Sequence, residues 1–358
     1  MTRLPRPRED LIGFAPYRTQ HMPATVRLQS NEWAEPNPSD RYLSAPQLSG
    51  LLLNRYPPNG EELREVLASR WSVLPEQILL GNGSNEVLLN TFLAYGGQGR
   101  TTLLFEPTYS MHGRLAVIAG GTVAQEQVGL PYLVTRERAL TAMARVRPAI
   151  VVFCSPNNPT GNRVPADVVL ATAEAYPDTL VLVDEAYADF AGFTHLGDQA
   201  RHPNLVISRT FSKARAAAGL RLGVLIAHPE IASVFRAVQL PYNLSALTLA
   251  VALNLARDES PVASRIVRAA GERARIAAAL GQVPAIELFP SEANFILFRL
   301  RDGDAAGAHA RFLAEDVLIR DVSLWPGAAG CLRVTVGTPP ENDAFIAALA
   351  RVFGKVAA

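Results

Sequence analysis

Between Ser208 and Arg221 the chain places two hydroxyls, an amine and a guanidinium directly behind a short apolar run. That run, residues 204–208 (NLVIS), has the length and β-branched content of a buried strand. Thr210, Ser212 and Lys213 follow at once, and Arg221 comes eight residues after the lysine. In open α/β sheets ligands sit beyond the carboxyl ends of strands, which is where this cluster falls. A lysine held there and partly desolvated has a lowered pKa and can attack a carbonyl. Hydroxyl donors beside a bidentate cation are what a phosphate group needs. A solvated strand end with an ordinary lysine is the plainer alternative, and this stretch alone does not separate the two.

Other strand ends add to the set. Gly83, Ser84 and Asn85 follow the apolar run Gln77–Leu80 and open a helical stretch over Val87–Leu93. A Gly-rich turn at a helix N-terminus offers free N–H groups and a positive dipole end, although Ser84 or Asn85 could be simple N-caps. The motif SPNNPTG, residues 155–161, follows the strand Ile150–Cys154. Its prolines and glycine fix a rigid loop that would present Asn157 as a donor. Asp184 ends the run Leu180–Val183, and a carboxylate at the end of a buried strand is costly without a partner. A protonated ring nitrogen is one such partner; Asp beneath a pyridinium, with Lys as Schiff base, is the recurring pyridoxal 5'-phosphate (PLP) arrangement. Taken together, Gly83-Ser84, Tyr109, Asn157, Asp184, Tyr187, Ser212-Lys213 and Arg221 supply phosphate donors, a stacking aromatic, a ring-nitrogen partner and an amine. The set points to PLP.

The elements that must position these groups alternate strand and helix from residue 101 onward: Thr101–Phe105, Ala149–Cys154, Thr179–Asp184, Asn204–Ser208 and Leu222–Ala227 are the strands. This pattern predicts an α/β fold with a mostly parallel sheet covered by helices. Beyond about residue 285 the texture changes to strands at Asn294–Leu300, Val317–Arg320 and Leu332–Val336 with helices between and after them, a smaller αβ unit. The expected division is an N-terminal arm over 1–45, a large domain over 46–283 and a small C-terminal domain over 284–358 that packs with the arm. Apolar residues make up 49% and charged residues 19% of the 358, the make-up of an ordinary globular protein. Lys+Arg 34 against Asp+Glu 33 gives no pull toward nucleic acid or membrane. No secretory h-region follows the basic N-terminus, and the alanine-rich stretches are broken by arginines. Cys154 and Cys331 have no metal-ligand spacing, so no metal is expected. These features lead us to expect a cytoplasmic enzyme.

The chain resembles the PLP-dependent aminotransferases of fold type I, and among them the histidinol-phosphate aminotransferases, from about residue 28 to its end. The likeness is carried by SPNNPTG (155–161), DEAY (184–187), SK with AGLR (212–221) and the tail IRD…CLRVTVGTPPEN (319–342). It implies that Lys213 bonds the cofactor and shuttles the proton, and that Asp184 holds the pyridine nitrogen protonated. Asn157 and Tyr187 are implied to bond the ring's O3', with Tyr109 stacked on the ring face. Thr210, Ser212, Arg221, Gly83, Ser84 and Asn85 are implied at the phosphate. Tyr56 is implied to reach the phosphate of a neighbouring subunit, hence a homodimer. On the substrate side the likeness implies Asn31, Arg333 for the glutamate α-carboxylate and Arg320 for a substrate phosphate. The implied reaction joins two small molecules: L-histidinol phosphate and 2-oxoglutarate give imidazole acetol phosphate and L-glutamate, in histidine biosynthesis.

Two departures from the family pattern bear on the substrate. Trp33-Ala34 follows Asn31-Glu32 where N-E-N-P is usual, and Val322 stands where many members carry a polar or basic residue. Both segments are expected to line the substrate side and make it less polar. An aromatic amino-acid aminotransferase is therefore one alternative, and a threonine-phosphate decarboxylase of the same fold another. A PLP-binding DNA regulator would need an added winged helix, and the first 30 residues are too short and proline-broken to form one.

Overall fold

The structure, a computed structural model, describes residues 5–17 and 22–354. Its strands are β1 (Val26–Arg27), β2 (Ile78–Asn82), β3 (Thr101–Glu106), β4 (Thr122–Gln127), β5 (Ile150–Cys154), β6 (Leu180–Asp184), β7 (Leu205–Thr210), β8 (Leu222–Ile226), β9 (Ile286–Leu288), β10 (Phe295–Leu300), β11 (Val317–Leu318), β12 (Arg320–Asp321) and β13 (Cys331–Thr335). Seven of them form one sheet in the order β2-β8-β7-β6-β5-β3-β4. All neighbours pair in parallel except β8, which runs against both β2 and β7.

The parallel strands are apolar on both faces because helices cover both. In β5, Ile150 and Val152 pack toward the helices Ser84–Tyr95 and Pro229–Val238, where Val87, Leu88, Phe92 and Phe235 are fully buried. Val151 and Phe153 face the other way, onto Ala139, Met143, Val168 and Val169 of the helices Arg136–Val146 and Ala166–Ala175. The same alternation holds in β6, with Leu180 and Leu182 on one side and Val181 and Val183 on the other. Each such side chain contributes roughly 1.5–3 kcal/mol on leaving water, so the register is tightly specified.

That register decides where the chemistry lies. Cys154 pairs with Asp184, and Asp184 with Ser208, so three parallel strands end level with one another. Because β8 is reversed, its beginning at Leu222 lies at the same edge, next to Thr210 through Gly223. β2 ends there too, with Asn82 opposite Leu222 and Gly83 bridged to it. One edge therefore gathers every strand terminus singled out from the sequence.

The smaller body is an antiparallel sheet, β12-β13-β10-β9, with β1 and β11 paired in parallel beside it. Its core joins Ile296, Phe298, Leu332, Val334, Phe345 and Leu349 to Leu28 from the arm. Ile276 and Leu280, from the far half of the long helix Ser260–Gly281, belong to the same core. The near half of that helix packs instead, through Val262 and Ala269, against Tyr187, Phe190 and Ala214.

Candidate active site

A cleft of ≈ 500 Å³ opens at the shared strand edge, between the large sheet and the smaller body, within the usual range for a small-molecule site. Lys213 lies in it, half-buried, its Nζ donating to the Ser30 carbonyl at 3.0 Å and 5.7 Å from the Tyr187 ring centre. Burial lowers its pKa to about 8; the Arg333 charge adds to the effect, Glu32 opposes it, Arg221 adds and Asp184 opposes. At neutral pH this amine is far closer to losing its proton than an ordinary lysine.

Asp184 lies below, buried at the end of β6. Its Oδ2 is 3.0 Å from His112 Nε2, and its Oδ1 accepts from Ser208 Oγ at 2.9 Å and from the Ala186 N–H at 3.2 Å. These three partners satisfy the oxygens of a buried carboxyl group, which burial would otherwise make costly. His112 itself is wholly buried with Nδ1 unpartnered. The sequence reading missed His112 and Ser208. The one available signal was the need of Asp184 for partners, and His112 lies 72 residues away from it.

Tyr187 is buried, its hydroxyl accepting from Asn31 Nδ2 at 2.9 Å, and burial pushes its pKa up to about 12. Asn31, in the left-handed region at φ 55, is in turn held by Thr335, whose Oγ1 donates to Asn31 Oδ1 at 3.0 Å. Tyr109 lines the cleft, its hydroxyl donating to Asn85 Oδ1 at 3.3 Å, its ring edge-on to His112 and its pKa raised by burial. Ser84, Asn85, Thr210, Ser212 and Arg221 line one end of the cleft. Thr210 Oγ1 and Ser212 Oγ are 3.0 Å apart, beside the N-terminus of the helix Ser84–Tyr95. Gly83 belongs to this cradle through its backbone: it has φ +80, and a Cβ there would stand 2.1 Å from Arg221 Nη2.

Arg320 and Arg333 sit directly opposite each other on β12 and β13, and both line the cleft. Arg333 donates from Nη1 to Asn158 Oδ1 at 2.5 Å and from Nη2 to the Gln29 carbonyl at 2.6 Å, and its buried Nε has no partner. Burial lowers its pKa to about 10, with Tyr187 opposing and Arg320 adding, so it remains a cation at neutral pH. Among the described residues neither arginine has a carboxylate within ion-pair distance.

Two expectations are corrected. Asn157 does not face the cleft: its Nδ2 donates to the Pro107 carbonyl and Thr160 Oγ1, both at 2.8 Å, and its Oδ1 accepts from Thr108. The cleft residue of that motif is its neighbour Asn158, turned inward and bonded to Arg333. Tyr56, expected at a neighbouring subunit's phosphate, is 79% exposed, stacks on Tyr242 with ring centres 4.4 Å apart and lies outside its own subunit's cleft, a placement that leaves that expectation standing. Trp33 and Val322 do not line the substrate side. Trp33 lies against Arg268 and Arg265 of the long helix at 4.9 and 5.7 Å, and Val322 is fully buried with Tyr132, Phe289 and Leu297. Of the segment expected there, Asn31 and Glu32 do line the cleft, and Tyr17, Arg27 and Trp325 line it as well without having been expected.

PLP fits these residues. The cradle supplies hydroxyls, amides and a guanidinium for a phosphate, the buried anion lies below, and the amine stands within the cleft. The comparisons agree. A curated relative from Frankia casuarinae, named histidinol-phosphate aminotransferase, is 40% identical over 96% of this chain and 89% of its own length. A solved histidinol-phosphate aminotransferase from Clostridium acetobutylicum superposes with a TM-score of 0.84 at 23% identity, covering 91% of this chain and 98% of that one. Another, from Sinorhizobium meliloti in complex with pyridoxal-5'-phosphate, gives 0.82 at 24% identity, covering 92% and 91%. The model of the family described as "Aminotransferase class I and II" matches residues 20–349. The chain belongs to that family, and PLP is its cofactor.

Proposed function

We propose that this enzyme transfers the amino group of L-histidinol phosphate to 2-oxoglutarate, giving imidazole acetol phosphate and L-glutamate. It would act as a homodimer in the cytoplasm, in histidine biosynthesis. The observation that carries the reading is the pair Arg320 and Arg333, two cations in direct cross-strand register that line the cleft and, among the described residues, have no carboxylate within ion-pair distance. Like charges so placed repel unless an anion joins them. The amino donor would bring a phosphate and the 2-oxo acid acceptor a carboxylate, and each can be met by the same pair. The aromatic amino-acid aminotransferase, the rival that rested on a less polar substrate side, loses support, since Trp33 and Val322 lie elsewhere.

Bound in the cleft, PLP supplies an aldehyde for the amine and an electron-poor ring to take up the electron pair left at Cα. The protein does the rest. Asp184, whose Oδ1 accepts from Ser208 Oγ and the Ala186 N–H, would hold a proton on the ring nitrogen. Tyr187 and Asn158, both lining the cleft, would hold the cofactor ring through their polar groups, and Tyr109 would pack against it. Lys213, with its lowered pKa, takes the Cα proton on Nζ and returns it. Ser84, Thr210, Ser212, Arg221 and the amides after Gly83 hold the phosphate as a fixed anchor.

The homodimer is supported by an apolar face: Leu52, Leu53, Tyr56, Leu240 and Tyr242 are 64%, 82%, 79%, 73% and 51% exposed. They lie beside a ≈ 620 Å³ groove lined by Pro58, Asn59, Tyr242 and Leu249. From such a face Tyr56 would reach the partner's cofactor phosphate. We keep the division into arm 1–45, large domain 46–283 and small domain 284–358, with the helix Ser260–Gly281 shared between the last two.

Rapid mixing of the loaded enzyme with histidinol phosphate tests the reaction. The cofactor should pass to its amine form without CO₂ release, and 2-oxoglutarate should restore it. No conversion, with fast conversion by phenylalanine or tyrosine, would assign an aromatic aminotransferase; CO₂ release from threonine phosphate would assign the decarboxylase.

A further inference from the structure

Beside the loop that carries Lys213 runs a chain of charges, buried at Arg209, Arg215 and Glu185 and reaching the surface at Arg70, that the proposed reaction leaves unused. Arg215, two residues on, is 3% exposed; its Nη1 reaches Asp189 Oδ2 at 2.6 Å, and its Nη2 and Nε reach Glu259 Oε1 at 2.8 and 3.1 Å. Arg209, buried in β7, reaches Asp189 Oδ1 at 2.9 Å and Glu185 Oε2 at 3.1 and 3.2 Å. Glu185 also accepts from Thr194 Oγ1 and the His195 N–H, both at 2.7 Å. Arg70 completes the chain on Glu259 Oε2 at 3.4 Å.

The pieces joined are the ones whose relative placement matters. Glu185 directly follows Asp184, and Asp189 lies in the short helix Ala188–Ala191 just beyond. Arg215 belongs to the Lys213 loop. Glu259 immediately precedes the long helix Ser260–Gly281, whose far half lies in the core of the body that carries Arg320 and Arg333. The loop is also held in an unfavourable shape: Ala216 has φ 54, and its carbonyl accepts from Asn37 Nδ2 at 3.0 Å. Buried ion pairs seldom add net stability over apolar packing, and their best-attested use is to specify one arrangement over others.

We propose that Arg215 is a positioning residue: clamped between Asp189 and Glu259, it sets the Lys213 amine against Asp184 and ties that setting to the long helix. The inference rests on PLP being the cofactor and not on which amino donor is used. The test compares cofactor-loaded wild type with Arg215→Met, Arg215→Lys and Glu259→Gln. Arg215→Met should keep its cofactor and its circular-dichroism spectrum. It should shift the pH midpoint of the bound cofactor's visible absorbance, and slow single-turnover amino transfer roughly ten- to a hundredfold with little change in KM. Arg215→Lys should recover part of both effects. A folded, loaded Arg215→Met with the wild-type midpoint and rate overturns the proposal. If Arg215→Met does not fold, Glu259→Gln decides: a shifted midpoint supports the clamp and a wild-type midpoint overturns it. Wild-type protein that shows no cofactor absorbance removes the cofactor assignment itself, and the clamp with it.

Discussion

Lys213 shows how much a single side chain depends on its surroundings. Its pKa falls from 10.5 to about 8 on folding. Between those values the unfolded chain binds the extra proton, so this group makes the cofactor-free protein more stable as pH rises from about 8 to 10.5. Below that window the folded state carries an unfavourable buried cation. Cofactor-free Lys213→Met should therefore resist urea better than wild type at pH 7, with the advantage shrinking as the pH rises through that window. Equal midpoints at both ends would show that the amine is not desolvated. The two adjacent asparagines give a second test. Asn158→Ala deprives the Arg333 guanidinium of an acceptor and should lower kcat/KM for the amino donor on the order of tenfold or more. Asn157→Ala should instead cost roughly 1–3 kcal/mol of stability, read by thermal unfolding, with kinetics within a few fold. The motif itself was legible in the sequence. Which of its two asparagines faces inward was not, because that depends on a turn closed by Gly161 N–H on the Asn157 carbonyl and on docking of Glu292 N–H to Gly161.

At the scale of elements, the strand ends were readable because apolar runs of fixed length stop where the chemistry begins. The polar edge strand β4 was not: Thr122–Gln127 has its side chains partly in water and lacks an apolar run. The pairing of β1 with β11 is likewise non-local and two residues long, which leaves no period to detect. One glycine at the phosphate end carries a prediction. Gly223 lies where a Cβ would stand 2.4 Å from Ser84 N and 2.3 Å from Gly83 C. Gly223→Ala must push β8 away from the turn that opens the helix Ser84–Tyr95. The cofactor should then be lost on dialysis, with its Kd raised roughly tenfold or more, equivalent to about 1.4 kcal/mol. Unchanged retention would mean that the backbone amides of that turn do not hold the phosphate. Trp33 and Val322 teach the converse lesson. Both are sequence neighbours of cleft residues, yet Trp33 is drawn to Arg265 and Arg268 on the long helix and Val322 into a separate apolar cluster.

For the whole molecule, the apolar face around Leu53, Tyr56, Leu240 and Tyr242 makes the proposed association testable. Leu53→Arg combined with Leu240→Arg should shift the protein from dimer to monomer in sedimentation. It should also weaken cofactor retention, since each cleft would lose the Tyr56 contributed by its partner. A dimer that survives both changes would place the contact on another face. Within one subunit the two bodies meet at the cleft, and the smaller one brings the two cleft-lining arginines Arg320 and Arg333.

The leading segment has one more consequence, for anyone shortening the chain. By composition residues 22–31 look like a dispensable leader, yet Leu28 plugs the smaller core and three consecutive residues behind it serve cleft side chains. The Gln29 carbonyl receives Arg333, the Ser30 carbonyl receives the Lys213 amine, and Asn31 steadies Tyr187. A clone begun at residue 32 would retain every catalytic side chain and still leave two cations groping for oxygen, so trimming should stop well upstream of Val26.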